Sequence, residues 1–491
     1  MTDSPNREKC GDAPAAAAPV SATNSTPAKN DALATISSRL SLGVLGLLLL
    51  CYGYVHQDYT GGTSLSRLDL LQALVRQGTL CIDRYQRNTS DKALFKGHYY
   101  SDKAPGVVVL ALPAFAVGEV LASDTTSVDA SWNDNWLFPS WLATTGSVAL
   151  LTALGGACYF AWLCRWVSPT TALVAALALF LGAAPFPYAT MLFSHGMVIG
   201  LLSITLWAIG REQEGQRIQV GRFSLDGYLL AGFCCGWVLA SEFTAGLVVA
   251  GIFVWVCATG WRSAMRFCLA SVPPLLLIPA YSWACFDSPF TLGYDHQATF
   301  PAMKEGLYGI GWPDAPTGLK LLFSPDRGLF FWSPFLLMAA AGFPVLFKRS
   351  RSLFWLCLAV TVAQIVVISG EVWDWRAGWT LGPRYLSPML PLLALPAALG
   401  IQRFPRLGCG LALLSVLLTG TGTVVNATPR YEITNPLMEL HLPGLWKGEV
   451  THNLGQMLGL PGLWSLAPLV VLAVCYLWWM WTQLRELDRP D

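Results

Sequence analysis

The sequence predicts an all-α integral membrane protein, and three observations carry that prediction. Of its 491 residues, 54% are hydrophobic and only 12% charged, about half the charged share of an ordinary soluble domain. Apolar runs of membrane-crossing length recur along nearly the whole chain. The lysines and arginines that remain gather in short loops between those runs, as cytoplasmic loops do. A formal net charge of +1 offers no basic surface to a nucleic acid. The 13 cysteines show no framework spacing. Most sit inside apolar runs, where a thiol behaves as a small hydrophobe, so neither disulfides nor a zinc site is expected.

Residues 1–37 are rich in Ala, Ser, Thr, Asn and Pro without hydrophobic period, and read as a disordered cytoplasmic tail. "LSLGVLGLLLLCYGYV" follows Arg39, has no small-residue cleavage site and forms the first span. Further apolar runs cover 105–122, 138–164, 169–188, 191–210, 227–241, 243–260, 267–285, 329–347, 353–369, 386–401, 407–425 and 463–482. "REQEGQRIQVGR" (211–222), "WRSAMR" (261–266), "KRSRS" (348–352) and "QRFPR" (402–406) face the inside, which puts 286–328, 370–385 and 426–462 outside.

Counting 105–122 as a full span breaks this parity by one helix. The loop after it holds three aspartates and no lysine or arginine, so the run enters and leaves from the outer side, and 56–137 becomes one large outer loop. Within it, 63–78 places Leu68, Leu71, Leu74 and Val75 on one helical face and Asp69, Gln72 and Arg76 on the other, the pattern of a helix lying in the headgroup plane. About twelve to thirteen helices result. Residues 426–491 add an outer loop, the last transmembrane helix and a short cytoplasmic tail.

Ionisable residues are scarce inside the spans; Glu242 is the clearest, at an outer end. That scarcity argues against a transporter, whose ligands usually lie at the midplane. Polar and aromatic residues concentrate instead in outer stretches, above all "HYYSDKAPG" (98–106) and "GEVWDWRAGWTLGPRY" (370–385). Pro105 biases the residue before it toward an extended form, so Asp102 and Lys103 should project to opposite sides and not pair. Lys103 is placed for an anionic headgroup or for simple snorkelling. Asp83 and Asp91 read as turn residues, the latter in "NTSD". Trp373, Trp375 and Trp379 read as interfacial belt, and "TLGYDH" (291–296) as part of an acceptor cleft.

"GHYYSDKAPGVVVLALPAF" resembles the "N-G-x-x-Y-F-x-K-P-P-L" element in the first outer loop of GT-C glycosyltransferases, the group that includes protein O-mannosyltransferases and lipid A aminoarabinose transferases. "DSPFTLGY", "LLFSPDRGLFFWSPF" and "WTLGPRYLSPMLPLLALP" resemble bacterial members with a rhizobial galacturonosyltransferase-like domain. The resemblance covers about residues 38–425 and implies a GT-C bundle in a bacterial inner membrane, with its site facing the periplasm. It implies a polyprenyl-phosphate-sugar donor, an envelope glycan, glycolipid or protein acceptor, and inverting transfer without cofactor; no divalent metal is indicated.

Lys103 matches the lysine that meets the lipid phosphate in that family. Arg384, Tyr100 and Arg376 complete the candidate substrate-binding set. The family's carboxylates are missing: Ser64 to Leu68 and Ser194–His195 stand where they would fall. Asp102, His195 and Asp69 are the candidate replacements for the base, against plainer readings of His195 as a helix cap and Asp69 as a solvated face. Two rivals stand beside transfer: a protein of this fold that binds or moves lipid-linked sugars without catalysis, and a secondary transporter.

Overall fold

The computed structural model describes residues 27–57, 62–122, 137–306, 308–371 and 374–487. The acidic loop 123–136, Trp373 and residues 1–26 of the expected tail lie outside them, and the first helix begins inside that tail, at Pro27. In chain order the fold begins with α1 (Pro27–Tyr54), α2 (Gly62–Gln72), a hairpin of β1 (Lys92–Phe95) and β2 (His98–Ser101), and α3 (Gly106–Leu121). Next come α4 (Leu137–Thr144), α5 (Leu150–Leu163), α6 (Pro169–Leu181), α7 (Pro185–Ala189) and α8 (Ser194–Gln213). A second hairpin, β3 (Ile218–Val220) and β4 (Phe223–Leu225), precedes α9 (Gly227–Ser241), α10 (Gly246–Cys257), α11 (Trp261–Leu275) and α12 (Leu277–Phe286). The remainder is α13 (Ala315–Phe323), α14 (Leu329–Trp332), α15 (Ala339–Arg349), α16 (Arg351–Ile368), α17 (Leu390–Arg403), α18 (Pro405–Val425), α19 (Leu442–Lys447), α20 (Leu454–Met457) and α21 (Ala467–Leu487).

Six helical stretches among the described residues are long and apolar enough to cross a membrane: 138–163, 261–286, 351–368, 384–403, 405–425 and 462–486. The chain is therefore a multi-pass membrane protein. Apolar runs found helices in every case, with three interruptions. The run 169–188 breaks after Leu181, before Pro185 restarts the chain as α7, 267–285 is interrupted at Leu276 just after Pro273 and Pro274, and 329–347 is broken at Ser333–Pro334. Both hairpins are additions to an otherwise all-helical fold. The first turns on Lys96 and Gly97, both at positive φ (47° and 86°), the pairing that lets a two-residue turn match the twist of its strands.

The stretch 384–403, containing α17, is almost wholly buried at the centre, whereas α21 exposes Val470, Trp478 and Trp481, apolar surface suited to lipid. Gly155 of α5 lies so close to Gly200 of α8 that a methyl group on Gly155 would enter the Gly200 backbone, and one on Gly200 would enter the backbone of Leu151 and Thr152, the small-residue contact that brings membrane helices together.

The basic loops meet at one end of the bundle. Arg217 pairs with Asp226 at 2.9 Å, Arg266 reaches Asp226 and Glu212, and Arg349 donates to the Arg165 carbonyl at 2.6 Å. The 20 residues of α8 run from that end to Ser194, about 30 Å away. Helix α3 starts at this far end, with Gly106 against Ser241, and Gly118 then packs on Pro139. It therefore runs away from the basic loops and back along α4.

Helix α2 corrects the expectation of a solvated polar face. Asp69, Gln72 and Arg67 are buried along with its leucines. Its polar face is covered because Asn88 folds back to donate to Asp69 (3.0 Å), while Arg67 donates to the Leu192 carbonyl (3.1 Å) and Ser194 Oγ (3.2 Å). An amphipathic pattern reports which face is polar, and here protein covers that face too.

Candidate active site

The hairpin, α2 and the start of the 384–403 helix enclose a cavity of about 230 Å³, lined among others by Thr63, Asp91, Lys103, Phe193, Glu371, Trp379, Arg384, Tyr385 and Tyr431. Lys103 enters it directly after β2. Its Nζ lies 3.0 Å from Asp91 Oδ2 and 3.3 Å from Asp102 Oδ2. The expected separation of Asp102 and Lys103 is thus wrong: the chain bends at Lys103 instead of continuing β2, so alternation ends and the two side chains converge. Burial alone would lower the Lys103 ammonium, but the carboxylates of Asp102 and Asp91 hold it well above its ordinary value.

The two carboxylates beside Lys103 are not equivalent. Asp91 also accepts from Thr63 Oγ1 at 2.8 Å and lines the cavity. Burial opposes its ionisation, yet Lys103 and Thr63 hold it below the usual aspartate value. Asp102 does not line the cavity. It accepts from Gln297 Nε2 at 2.6 Å, its Oδ1 has no hydrogen-bond partner among the described residues, and burial pushes it up to about 6 against the pull of Lys103. The stretch "TLGYDH" supports this corner rather than a separate cleft. Gly293 packs on the Asp102 backbone, and Tyr294 stands 5.5 Å from Lys103 Nζ.

Arg384 is the second cation. Its guanidinium lies over Phe193 and Tyr385, with centroids 5.5 and 4.9 Å away. It donates to Tyr385 Oη at 3.1 Å and to Thr63 Oγ1 at 3.4 Å, and its Nε is buried without a partner among the described residues. Two cations and an ionised acid around one cavity can bind a phosphoryl anion and accept a proton beside it.

A smaller cavity of about 20 Å³ adjoins the first, sharing Thr63, Lys103, Arg384 and Tyr385. Behind it Ser194 Oγ donates to Glu242 Oε2 (2.6 Å), Thr244 Oγ1 donates to Glu242 Oε1 (2.8 Å), and His195 Nδ1 stands 3.7 Å from Glu242. Burial would raise the Glu242 carboxyl, but His195, Ser194, Thr244 and Arg67 hold it down at about 2.

The structure thus brings Lys103, Arg384, Asp102 and His195 into one neighbourhood and leaves the other three candidates outside it. Asp69 is buried beneath Asn88, and burial raises its carboxyl well above the ordinary value. Tyr100 packs on Phe286 at 5.6 Å. Arg376 is held by Asp326 and Asp374. Sequence reasoning passed over Asp91, Arg67 and Glu371 as site residues. It also assigned Trp379 to the interfacial belt, whereas Trp379 lines the cavity. Trp375 lies beside Arg376 at 5.3 Å, outside the lining.

No family model and no curated protein matches the chain. Among solved structures it is similar to ArnT from Cupriavidus metallidurans bound to undecaprenyl phosphate, with TM-score 0.45 and 15% identity over 93% of this chain and 77% of that one. It is also similar to the apo state of the same protein, with TM-score 0.47 and 16% identity over 93% and 78%.

Proposed function

We propose that the protein is a membrane glycosyltransferase of the GT-C type, which takes a sugar from a polyprenyl-phosphate-linked donor and gives it to an acceptor hydroxyl at the outer face. The observation that carries this reading is the convergence of Lys103, Arg384 and Asp91 on one cavity at the end of the bundle opposite the basic loops. The sequence resemblance around Lys103 supports it independently.

In this reading the donor phosphate lies against Lys103 and the Arg384 side chain, both of which line the cavity. As the bond from the anomeric carbon to the phosphate oxygen breaks, its electron pair stays on the phosphate, where the two cations stabilise the added charge. The acceptor oxygen bonds to the anomeric carbon from the opposite face, and its proton passes to Asp91, giving inversion. Asp91 replaces Asp102 as the base because it is ionised and reaches the cavity, whereas Asp102 is turned toward Gln297. Asp102 then positions Lys103. Trp379 and Tyr431 supply aromatic surface for a sugar ring.

The test is turnover in proteoliposomes supplied with polyprenyl-phosphate-linked sugars, read as release of polyprenyl phosphate and labelling of an envelope extract. Transfer should occur and should fall by about 10²-fold or more in Lys103→Ala, with normal membrane insertion. Donor binding with no transfer to any acceptor would favour a non-catalytic carrier, and solute uptake without transfer would favour a transporter.

A further inference from the structure

We propose that Cys81, Asp83 and His98 form a site for a zinc-class divalent cation, which ties the segment following α2 to the hairpin that delivers Lys103. None of the three lines the cavity around Lys103. The sequence gives little hint of the site, because C-x-D with a histidine fifteen residues later is no recognised ligand spacing. Strand pairing creates it.

Residues 81–83 run antiparallel beside β2. Cys81 bridges Tyr100, and Ile82 donates its N–H to the Tyr99 carbonyl at 2.8 Å. Alternation along an extended segment puts Cys81 and Asp83 on one face, and the antiparallel register sets His98 opposite Asp83. The thiol, carboxylate and imidazole atoms consequently all lie within 4.8 Å of one another. Cys81 Sγ is 3.7 Å from His98 Nδ1, and Asp83 Oδ2 is 2.7 Å from the same nitrogen. Zinc bonds of about 2.3 Å to sulfur and about 2.0 Å to nitrogen put tetrahedral ligands roughly 3.5 Å apart. The sulfur–nitrogen pair already has that spacing, and the carboxylate oxygen must draw back from the imidazole nitrogen by roughly half an ångström.

Two other readings of the cluster fit less well. A nucleophilic relay needs the carboxylate on one ring nitrogen and the thiol on the other, yet both groups face Nδ1. A simple His–Asp ion pair accounts for Asp83 but not for the thiol beside it. The second carboxylate oxygen of Asp83 accepts the Tyr99 N–H at 2.6 Å, the kind of outer contact that orients a metal ligand. Asp83 and His98 keep 44% and 60% of their side chains exposed, leaving a fourth position for water and a path for the ion. Binding would exchange the thiol proton for the metal, so that thiolate and carboxylate neutralise a divalent charge. Because Cys81 and His98 stand on separate segments, the ion would clamp together the strands that end at Ser101, Asp102 and Lys103.

The experiment uses full-length protein in detergent, stripped with chelator and free of any polyhistidine tag, titrated with cobalt(II) and then with zinc. The expected result is one equivalent of cobalt with a thiolate-to-cobalt charge-transfer band. Zinc should displace the cobalt and raise the melting temperature of the stripped protein. Cys81→Ser should lose the band, and His98→Ala should weaken binding at least tenfold, while both variants melt like wild type without metal. Absence of the band from wild type, its persistence in Cys81→Ser, or wild-type affinity in His98→Ala would overturn the proposal.

Discussion

The cavity around Lys103 and the cluster around Glu242 are built from the same materials, a carboxylate between cations at the end of the bundle opposite the basic loops. They differ in the space in front of the charges. Glu242 has both oxygens occupied by Ser194 and Thr244, and the space in front of it is about 20 Å³. The Lys103 cavity is about 230 Å³ and is lined by Lys103, Arg384 and Asp91 together. Buried charge in itself is a costly structural feature that needs partners; charge bordering open volume is what marks a place for a ligand. The proposed function accordingly puts chemistry in the first region and scaffolding in the second.

The largest effect that would break this contrast is at Asp91. Asp91→Asn keeps the shape and the Thr63 neighbour but removes the proton acceptor. Transfer should fall by about 10²- to 10³-fold, while binding of polyprenyl phosphate, measured by thermal shift, persists. Retained turnover in this variant would move the base to Asp102 or into the Glu242 cluster.

These two regions were unequally visible in the sequence, for a physical reason. Lys103 and Arg384 stand at the mouths of apolar runs, where a cation is conspicuous against its own neighbours, and each span shows in the same way because lipid demands a continuous apolar stretch. Asp91 sits in "NTSD" and does make the expected turn, with its N–H on Thr89 Oγ1 at 3.0 Å; what brings its carboxylate to Lys103 is the packing of α2 against the hairpin. Asp69 looked solvated because Asn88, which covers it, lies beyond its own helix, and Arg67 passed unnoticed because the segment 192–194 that holds it lies more than a hundred residues away. Local pattern reports an element's own polarity. It carries no record of which distant element will cover it.

Gly293 offers a smaller perturbation that reaches the cavity without touching it. A β-carbon there would sit 2.6 Å from Asp102 Cα and 2.9 Å from its carbonyl oxygen, and backbone cannot yield as a flexible side chain can. Gly293→Ala should displace the Asp102–Lys103 bend, lower transfer by about tenfold, and cost about 1–3 kcal/mol of stability, checked by turnover and melting together. Glu242→Gln is the matching probe of the other region. It leaves the Ser194 hydrogen bond available but strips Arg67 of a countercharge, so the melting temperature should drop clearly while transfer changes by only about two- to threefold. A loss of transfer comparable to that of Asp91→Asn, with melting unchanged, would erase the distinction between the regions.

The smallest expected effect is the response of transfer to pH, and it separates the two aspartates that share Lys103. Asp91 is held below its ordinary value of 3.8, so it is ionised throughout the range from pH 5 to 7, and transfer should change by less than about twofold across it. Asp102, pushed up to about 6, is mostly protonated at pH 5 and mostly ionised at pH 7. Were it the base, transfer would fall by roughly tenfold over the same two units. Stability responds in the opposite sense. Because the folded state raises the Asp102 value above 3.8, the stabilisation from its protonated form is complete below 3.8 and is lost as pH rises through about 6. Removing this group as Asp102→Asn should flatten the change in melting temperature between pH 5 and 7 and leave the pH profile of the remaining transfer unchanged. A profile that bends near 6 in the wild type and straightens in Asp102→Asn would instead make Asp102 the proton acceptor and Asp91 the residue that positions the lysine.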